Sequence, residues 1–368
     1  MAQNESSSAT GKWFADIAKT SAAQSLAQRL ENGGALSFSS IALSAQPFFA
    51  ALISKFFPQR TIVVVVENLK TQESFQQDLE TWLAQIRNAE RGVRNENAAP
   101  SSILNSPSSL FFPAWETSPH ENKLPHADVI SDRLQTLVAL SEKSAIGNRQ
   151  SAIIVTNVVA LLQKTFSPDD LKTRTRKLER GDKIAPLDLI EFLEEQGYEP
   201  EAQVSQKGEI ALRGGIVDIF PPTSPWPVRL EFFGDELESL REFDPLTQIS
   251  RGEISEIIIP PAGELGIFKT RIQNSDARSQ NKLATLLDYL PRETIFLLCE
   301  PESLAVHAEN YAQQIPPDDP FFISWPNFSA ELNRRSFTSV ELSDDDQTQS
   351  RWGERPREPF LGNDTAVE

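Results

Sequence analysis

Residues 61–86 read TIVVVVENLKTQESFQQDLETWLAQI, and this stretch decides the class of fold. Thr61 to Val66 is a β-branched run without polar alternation, the pattern of a strand buried on both faces. From Lys70 to Ile86 the period changes, and Phe75, Leu79, Trp82, Leu83 and Ile86 fall on one stripe at helical spacing. A doubly buried strand running into an amphipathic helix belongs to a parallel sheet covered by helices. The flanks repeat the alternation. Gln46 to Phe57 reads as a helix closed by Pro58, and Leu110 to Phe112 as a short strand. His126 to Leu140 reads as a helix with Val129, Ile130, Leu134, Leu137 and Val138 on one side. Ile153 to Thr156 is a further strand, followed by a short helix from Val158 to Lys164. Upstream, Asp16 to Leu30 reads as a first helix ending at Gly33-Gly34; the polar stretch Arg87 to Ser109 reads as a surface loop or insertion.

Near Phe166 the style changes. Thr173 to Leu178 reads as a strand, and Pro186 to Gln196 as a helix with Pro at its first turn and Gly197 past its end. Short strands then follow at Gln203 to Ser205, Glu209 to Arg213, Ile216 to Phe220, Val228 to Phe232 and Leu237 to Phe243. From about Ile267 the α/β style resumes, with a helix near Asn281 to Tyr289, a buried strand Ile295 to Cys299 and a helix near Glu302 to Gln313. The organisation expected is an N-terminal helical segment (1–32), an α/β domain in two parts (33–165 and 265–335), a small inserted α+β domain (166–264) and a polar acidic tail (336–368).

Charge and composition narrow the chemistry. Acids outnumber bases by 52 to 35, a net charge of −17. A free-standing DNA binder needs a concentrated basic face, because phosphate neutralisation supplies most non-specific affinity. The one local basic run is Lys172, Arg174, Arg176, Lys177 and Arg180, whose alternation with threonine suits a solvated edge strand. No run of eighteen apolar residues exists, so no membrane span is expected. The single cysteine excludes an internal disulfide framework and suits a reducing cytoplasm.

Catalytic signatures are missing where this class of fold would carry them. A nucleotide-hydrolysing α/β domain places G-x-x-x-x-G-K-[ST] after its first strand, so that backbone N–H groups wrap the phosphates. Residues 36–49 read LSFSSIALSAQPFF instead, and the motif occurs nowhere else in the chain. No acidic D-E-x-x motif ends a buried strand, since Val63 to Glu67 runs into Asn68. His120 and His126, with Glu116, Glu121 and Asp128, match no zinc-type ligand spacing. Cys299 lies in an apolar strand and reads as a core residue, with His307 the one spatial partner left open for it.

Two segments carry a family resemblance. Residues 110–119, LFFPAWETSP, followed by 126–137, HADVISDRLQTL, resemble a stretch of the bacterial transcription-repair coupling factors (Mfd). Residues 208–222, GEIALRGGIVDIFPP, and 228–244, VRLEFFGDELESLREFD, are similar to the UvrA-contacting domain shared by UvrB and those factors. The similarity runs well from Gly33 to Ala262. The missing phosphate motif, and the short link between Trp115 and His126 with no room for a DNA-probing hairpin, favour the coupling factor over UvrB itself. The resemblance implies a degenerate helicase-like parallel-sheet domain with an inserted UvrB interaction domain and no cofactor. It also implies a fragment or truncated form of a longer ATP-dependent DNA translocase that recruits UvrA to stalled RNA polymerase. The partners so implied are UvrA for this chain, and RNA polymerase and double-stranded DNA for further domains.

The resemblance places the UvrA contacts on Arg213, Arg229 and Glu231, while two further UvrB arginine positions fall on Ala211 and Pro200. Strand alternation agrees, with Val228, Leu230 and Phe232 facing one way and Arg229 and Glu231 the other. By the same alternation Ile210 and Leu212 are expected in the core, with Glu209, Ala211 and Arg213 outside, and Gly214-Gly215 is expected to form a bulge. Arg213→Ala or Arg229→Glu is expected to weaken UvrA binding without unfolding the domain. Two other readings stand beside this one: a divergent UvrB- or helicase-type nucleotide-dependent repair enzyme, and a DNA-binding module using the basic run.

Overall fold

The computed structural model describes residues 16–92, 108–121, 123–146, 152–274 and 283–344. Two six-stranded sheets organise it, one wholly parallel and one mainly antiparallel.

The parallel sheet begins after helix α1 (Ser21–Glu31), whose N-terminus is capped by the Thr20 hydroxyl. Its elements are β1 (Ala35–Phe38), α2 (Gln46–Phe56), β2 (Ile62–Val66), α3 (Leu69–Gly92), β3 (Ser108–Phe112), α4 (Ala127–Ile146) and β4 (Ala152–Asn157). Because successive strand side chains point to opposite faces, β2 divides between two cores. Ile62, Val64 and Val66 pack with Phe75, Leu79 and Leu83 of α3, while Val63 and Val65 join the opposite cluster with Phe112, Leu134 and Leu137. Trp82 and Ile86 complete the α3 stripe at its margin, and Phe48 of α2 meets Trp82 edge to face at 5.0 Å. Each fully buried aliphatic or aromatic side chain in these clusters contributes about 2 kcal/mol of transfer free energy.

After α5 (Val158–Leu162) and β5 (Thr165–Phe166) the chain leaves this layer through helix α6 (Pro168–Arg174) and strand β6 (Arg176–Glu179). Here the expected strand from Thr173 is replaced by the end of a helix. Its start signal is Ser167 as N-cap, Pro168 in the first turn and Asp169 and Asp170 beside the positive end of the helix dipole. Lys172 and Arg174 therefore lie on a helix and Arg176 and Lys177 on a strand, so the basic run does not form one face.

The inserted unit continues with α7 (Pro186–Glu195), β7 (Glu199–Pro200), β8 (Glu209–Arg213), β9 (Ile216–Ile219), β10 (Val228–Phe233), β11 (Glu236–Phe243), β12 (Ser250–Glu253) and β13 (Glu256–Ile259). Strands β7 to β12 lie in sequence order in one sheet, and β13 pairs with β6. Helix α7 covers one face through Leu189 and Leu193, which pack on Ile210, Val217, Ile219, Val228, Leu230, Leu237 and Leu240. The strand expected at Gln203 to Ser205 is coil; β7 takes the sheet edge, and Val204 plugs a separate small core. Gly214-Gly215 is the two-residue turn between β8 and β9, with Gly214 at φ +62°, rather than a bulge. The irregularity in register falls opposite, between Glu231 and Phe232.

The chain then returns through α8 (Leu265–Asn274) and β14 (Leu283–Ala284) to β15 (Ile295–Cys299), α9 (Pro301–Ala312), α10 (Trp325–Arg334) and β16 (Thr338–Leu342). The helix expected near Asn281 to Tyr289 is instead β14 and a single 3-10 turn, Leu286–Tyr289, closed by a Thr285–Asp288 capping box. The stretch expected to be tail from residue 336 runs at once into a strand: β16 sits between β1 and β15, with Val340 and Leu342 in the core. The parallel order is β1-β16-β15-β2-β4-β3. Residues 93–107 of the expected loop, the first two residues of the expected 281–289 helix, and 345–368 of the tail lie outside the described residues.

A buried ion pair joins the two layers. Arg133 on α4 donates to Glu264 at 2.6 Å, and Thr165 and the Trp115 indole donate to the same carboxylate. The Arg133 guanidinium also lies 4.3 Å from the Phe112 ring centre and donates to the Pro113 carbonyl at 2.9 Å. The two halves of the 110–137 motif thus converge on a residue that lies just past the last strand of the inserted unit.

Candidate docking face on the inserted sheet

The outward face of the antiparallel sheet carries a charged row set by register. Ala211 on β8, Asp218 on β9, Arg229 on β10, Arg241 on β11 and Glu253 on β12 are successive cross-strand partners. The central member is Asp218, whose side chain is only 2 % exposed. Arg229 closes on it as a fork, with Nε to Oδ1 at 2.7 Å and Nη2 to Oδ2 at 2.8 Å. This bond to Asp218 raises the Arg229 pKa further above its ordinary value. The guanidinium also stacks 4.7 Å from the Phe243 ring centre, so packing as well as charge holds it.

Arg213 is different. Its side chain is 51 % exposed and makes one long hydrogen bond, Nη2 to Asp218 Oδ2 at 3.3 Å. Most of its donors face solvent on the same side of the sheet. Glu231 accepts from the Ser239 hydroxyl at 2.6 Å and lies 3.5 Å from Arg241 Nη2, while Arg241 Nε lies 3.8 Å from Glu253. The structure therefore brings Arg213, Arg229 and Glu231 to one face, together with Asp218 and Arg241. The sequence reading did not single out Asp218, the buried hub of this face.

Ala211 and Leu212 depart from the alternation expected of them. Ala211 is buried with Val204, Phe220 and Phe243, while Leu212 is partly exposed. The coil bearing Val204 folds over this end of the face and creates a second, four-residue core where solvent was expected. Pro200 lies exposed on the short edge strand β7.

The position of the expected phosphate loop has a different construction. Between β1 and α2 the chain passes through residues 39–42 and a 3-10 turn, Leu43–Ala45. The Ile41 amide donates to the Ser343 carbonyl at 2.9 Å, and the Gln46 amide group donates to Glu300 Oε1 at 2.7 Å. Glu300 also accepts from the Asp344 amide at 3.0 Å. Carboxylates thus line this end of the sheet, joined by Glu67, whose pKa is lowered chiefly by the Ser303 hydroxyl.

The other candidate residues separate. The His120 imidazole pairs with Asp319, the His126 amide donates to Glu116, and His126 Nδ1 lies 3.5 Å from Asp128. Among the described residues no group of three His, Cys, Asp or Glu side chains is placed to hold a metal. Cys299 is buried and its thiol pKa is pushed up by desolvation, while His307 bonds the Ser303 carbonyl and neighbours Glu67. No helix among the described residues is long and apolar enough to cross a membrane.

Comparison with known proteins bears directly on this sheet. The family described as UvrB interaction domain matches residues 177–265, from β6 to the start of α8. The inserted unit is thus similar to the UvrB interaction domain family. The chain is also similar to proteins named transcription-repair-coupling factor. It is 30 % identical over 230 residues to that of Haemophilus influenzae, covering 53 % of this chain and 20 % of the relative. With the Escherichia coli protein the identity is 35 % over 159 residues, 43 % of this chain and 13 % of the relative. With the Bacillus subtilis protein it is 33 % over 165 residues, 45 % and 14 % respectively. The matched stretch thus spans a fifth or less of these relatives.

Proposed function

We propose that this chain is a docking arm in transcription-coupled repair, which recruits UvrA through the outward face of its UvrB interaction domain. The observation that carries this reading is Arg213, an exposed guanidinium held by a buried carboxylate on the domain whose family name denotes interaction. Arg213, Arg229 and Glu231 are the proposed contact residues; Arg229 also holds Asp218 in place. Truncating a desolvated interfacial charge costs about 2–5 kcal/mol of binding, whereas rim charges cost little. RNA polymerase and double-stranded DNA are proposed partners of the longer protein in which such an arm would work, and the cytoplasm is its proposed compartment.

We further propose that the chain does not itself hydrolyse ATP. The loop before α2 has no glycine-rich wrap, and the Glu300 carboxylate beside Gln46 is a negative charge that repels phosphate. The DNA-binding alternative loses support because the basic run is spread over a helix and a strand, where Lys177 pairs with Glu256 and Arg174 with Asp170. A two-part test applies: capture of UvrA by the immobilised chain, and ATP turnover by the chain alone. UvrA retention without turnover is the expected result. Turnover above background, abolished by a substitution in residues 39–46, would return the chain to the enzyme class.

A further inference from the structure

At one end of the charged row, the loop between β11 and β12 leaves two aliphatic side chains in solvent. Leu246 is 91 % exposed and Ile249 67 % exposed. Isolated surface leucines are ordinary, but this loop is built to hold its shape. The Asp244 carboxylate accepts from the Leu246 and Thr247 amides at 2.8 and 3.0 Å, and the Asp244 amide donates to the Ile249 carbonyl at 3.0 Å. Gln248, a non-glycine residue at φ +60°, donates from its side chain to the Pro245 and Val204 carbonyls. A left-handed conformation at such a residue persists only where surrounding contacts over-determine it. The loop is therefore ordered in advance, and an apolar tip on it loses little entropy on binding.

Its position is the second observation. Gln248 Oε1 accepts from Arg229 Nη2 at 3.4 Å, so the loop adjoins the guanidinium that closes on Asp218. Arg251, just beyond the tip, lies 3.7 Å from the Trp226 ring centre. The tip is consequently an aliphatic pair with arginines beside it, continuous with the proposed docking face. Interfaces gain most from such an anchor when a polar rim surrounds it.

We propose that Leu246 and Ile249 form an apolar anchor of the same docking face, seated in an apolar pocket of UvrA whose rim carries acidic side chains. This rests on the UvrA-docking reading above. The test compares UvrA binding, by calorimetric titration, for the full chain, a Leu246→Ser/Ile249→Ser double variant and Arg213→Ala. Thermal melts accompany each titration. The expected result is at least a tenfold loss of affinity for the serine double variant with an unchanged melting temperature. A binding heat capacity less negative than that of the unsubstituted chain would match the smaller apolar area buried. Undiminished affinity in the double variant, with Arg213→Ala weakened, would overturn the anchor and leave the docking reading intact. No UvrA binding by the unsubstituted chain would overturn both. A self-associating chain made monomeric by the serine substitutions would assign the tip to a second copy and overturn the UvrA anchor.

Discussion

Asp218, Arg229 and Arg213 share one hydrogen-bonded cluster, yet substitutions in it have different meanings. Asp218 is buried and Arg229 is 19 % exposed, so removing either charge strands its partner. Stranding a buried charge costs on the order of 3 kcal/mol or more. Asp218→Asn and Arg229→Glu are therefore expected to lower the urea midpoint of the inserted domain, the second more strongly because it opposes two carboxylates. Arg213→Ala removes one long hydrogen bond at an exposed position and is expected to leave the midpoint within experimental spread. Chemical denaturation of the three variants checks this order. Arg229→Glu, which sequence alternation alone presents as a clean surface probe, would thus confuse loss of fold with loss of docking. Alternation reported the side of the sheet correctly for Arg213, Arg229 and Glu231. It could not report that Asp218 would be covered, because that depends on Arg229 arriving from the neighbouring strand.

At the scale of elements, turns and edges carry the more fragile information. Gly215 lies where an added Cβ would stand 2.8 Å from the Phe232 carbonyl oxygen, a backbone atom of β10. The Phe232 amide donates to the Gly215 carbonyl at 2.8 Å, fixing this close approach. Gly215→Ala is expected to cost about 2 kcal/mol through forced strand separation, read as a lower melting temperature. Gly214→Ala is strained by its positive φ alone. Strongly periodic elements such as β2, α3 and β15 were legible because burial on one or both faces dictates residue type at every position. Helix α6 was legible in principle from Ser167-Pro168-Asp169-Asp170, but seven residues are too few for a periodic stripe to declare itself. Strand β16 was obscured for the opposite reason. Its sequence, Thr-Ser-Val-Glu-Leu, runs into acidic residues, and only the pairing of Val340 and Leu342 with strands more than three hundred and about forty residues away makes it a core element.

The whole molecule depends on how the inserted domain is set upon the parallel layer. Arg133 and Glu264 are both essentially inaccessible, so this pair is expected to register the two parts rather than to add much net stability. Arg133→Met is predicted to destabilise the chain by about 3–5 kcal/mol, by leaving the Glu264 carboxylate buried without its cation. Adding Glu264→Gln should recover a large part of that loss, since the stranded charge disappears. A double-mutant cycle in urea checks the coupling; additive losses would assign Arg133 a packing role against Phe112 and Trp115 only. The same pair ties the 110–137 segment to the inserted unit: the segment supplies the socket for the residue that follows the inserted sheet.

We propose that the outward sheet face, led by Arg213, binds UvrA. Calorimetric titration of UvrA with the intact chain and with Arg213→Ala, each matched by a thermal melt, tests it most directly. Saturable binding that weakens about tenfold or more in Arg213→Ala, with coincident melts, is the predicted result. Equal affinity for the two chains would contradict it.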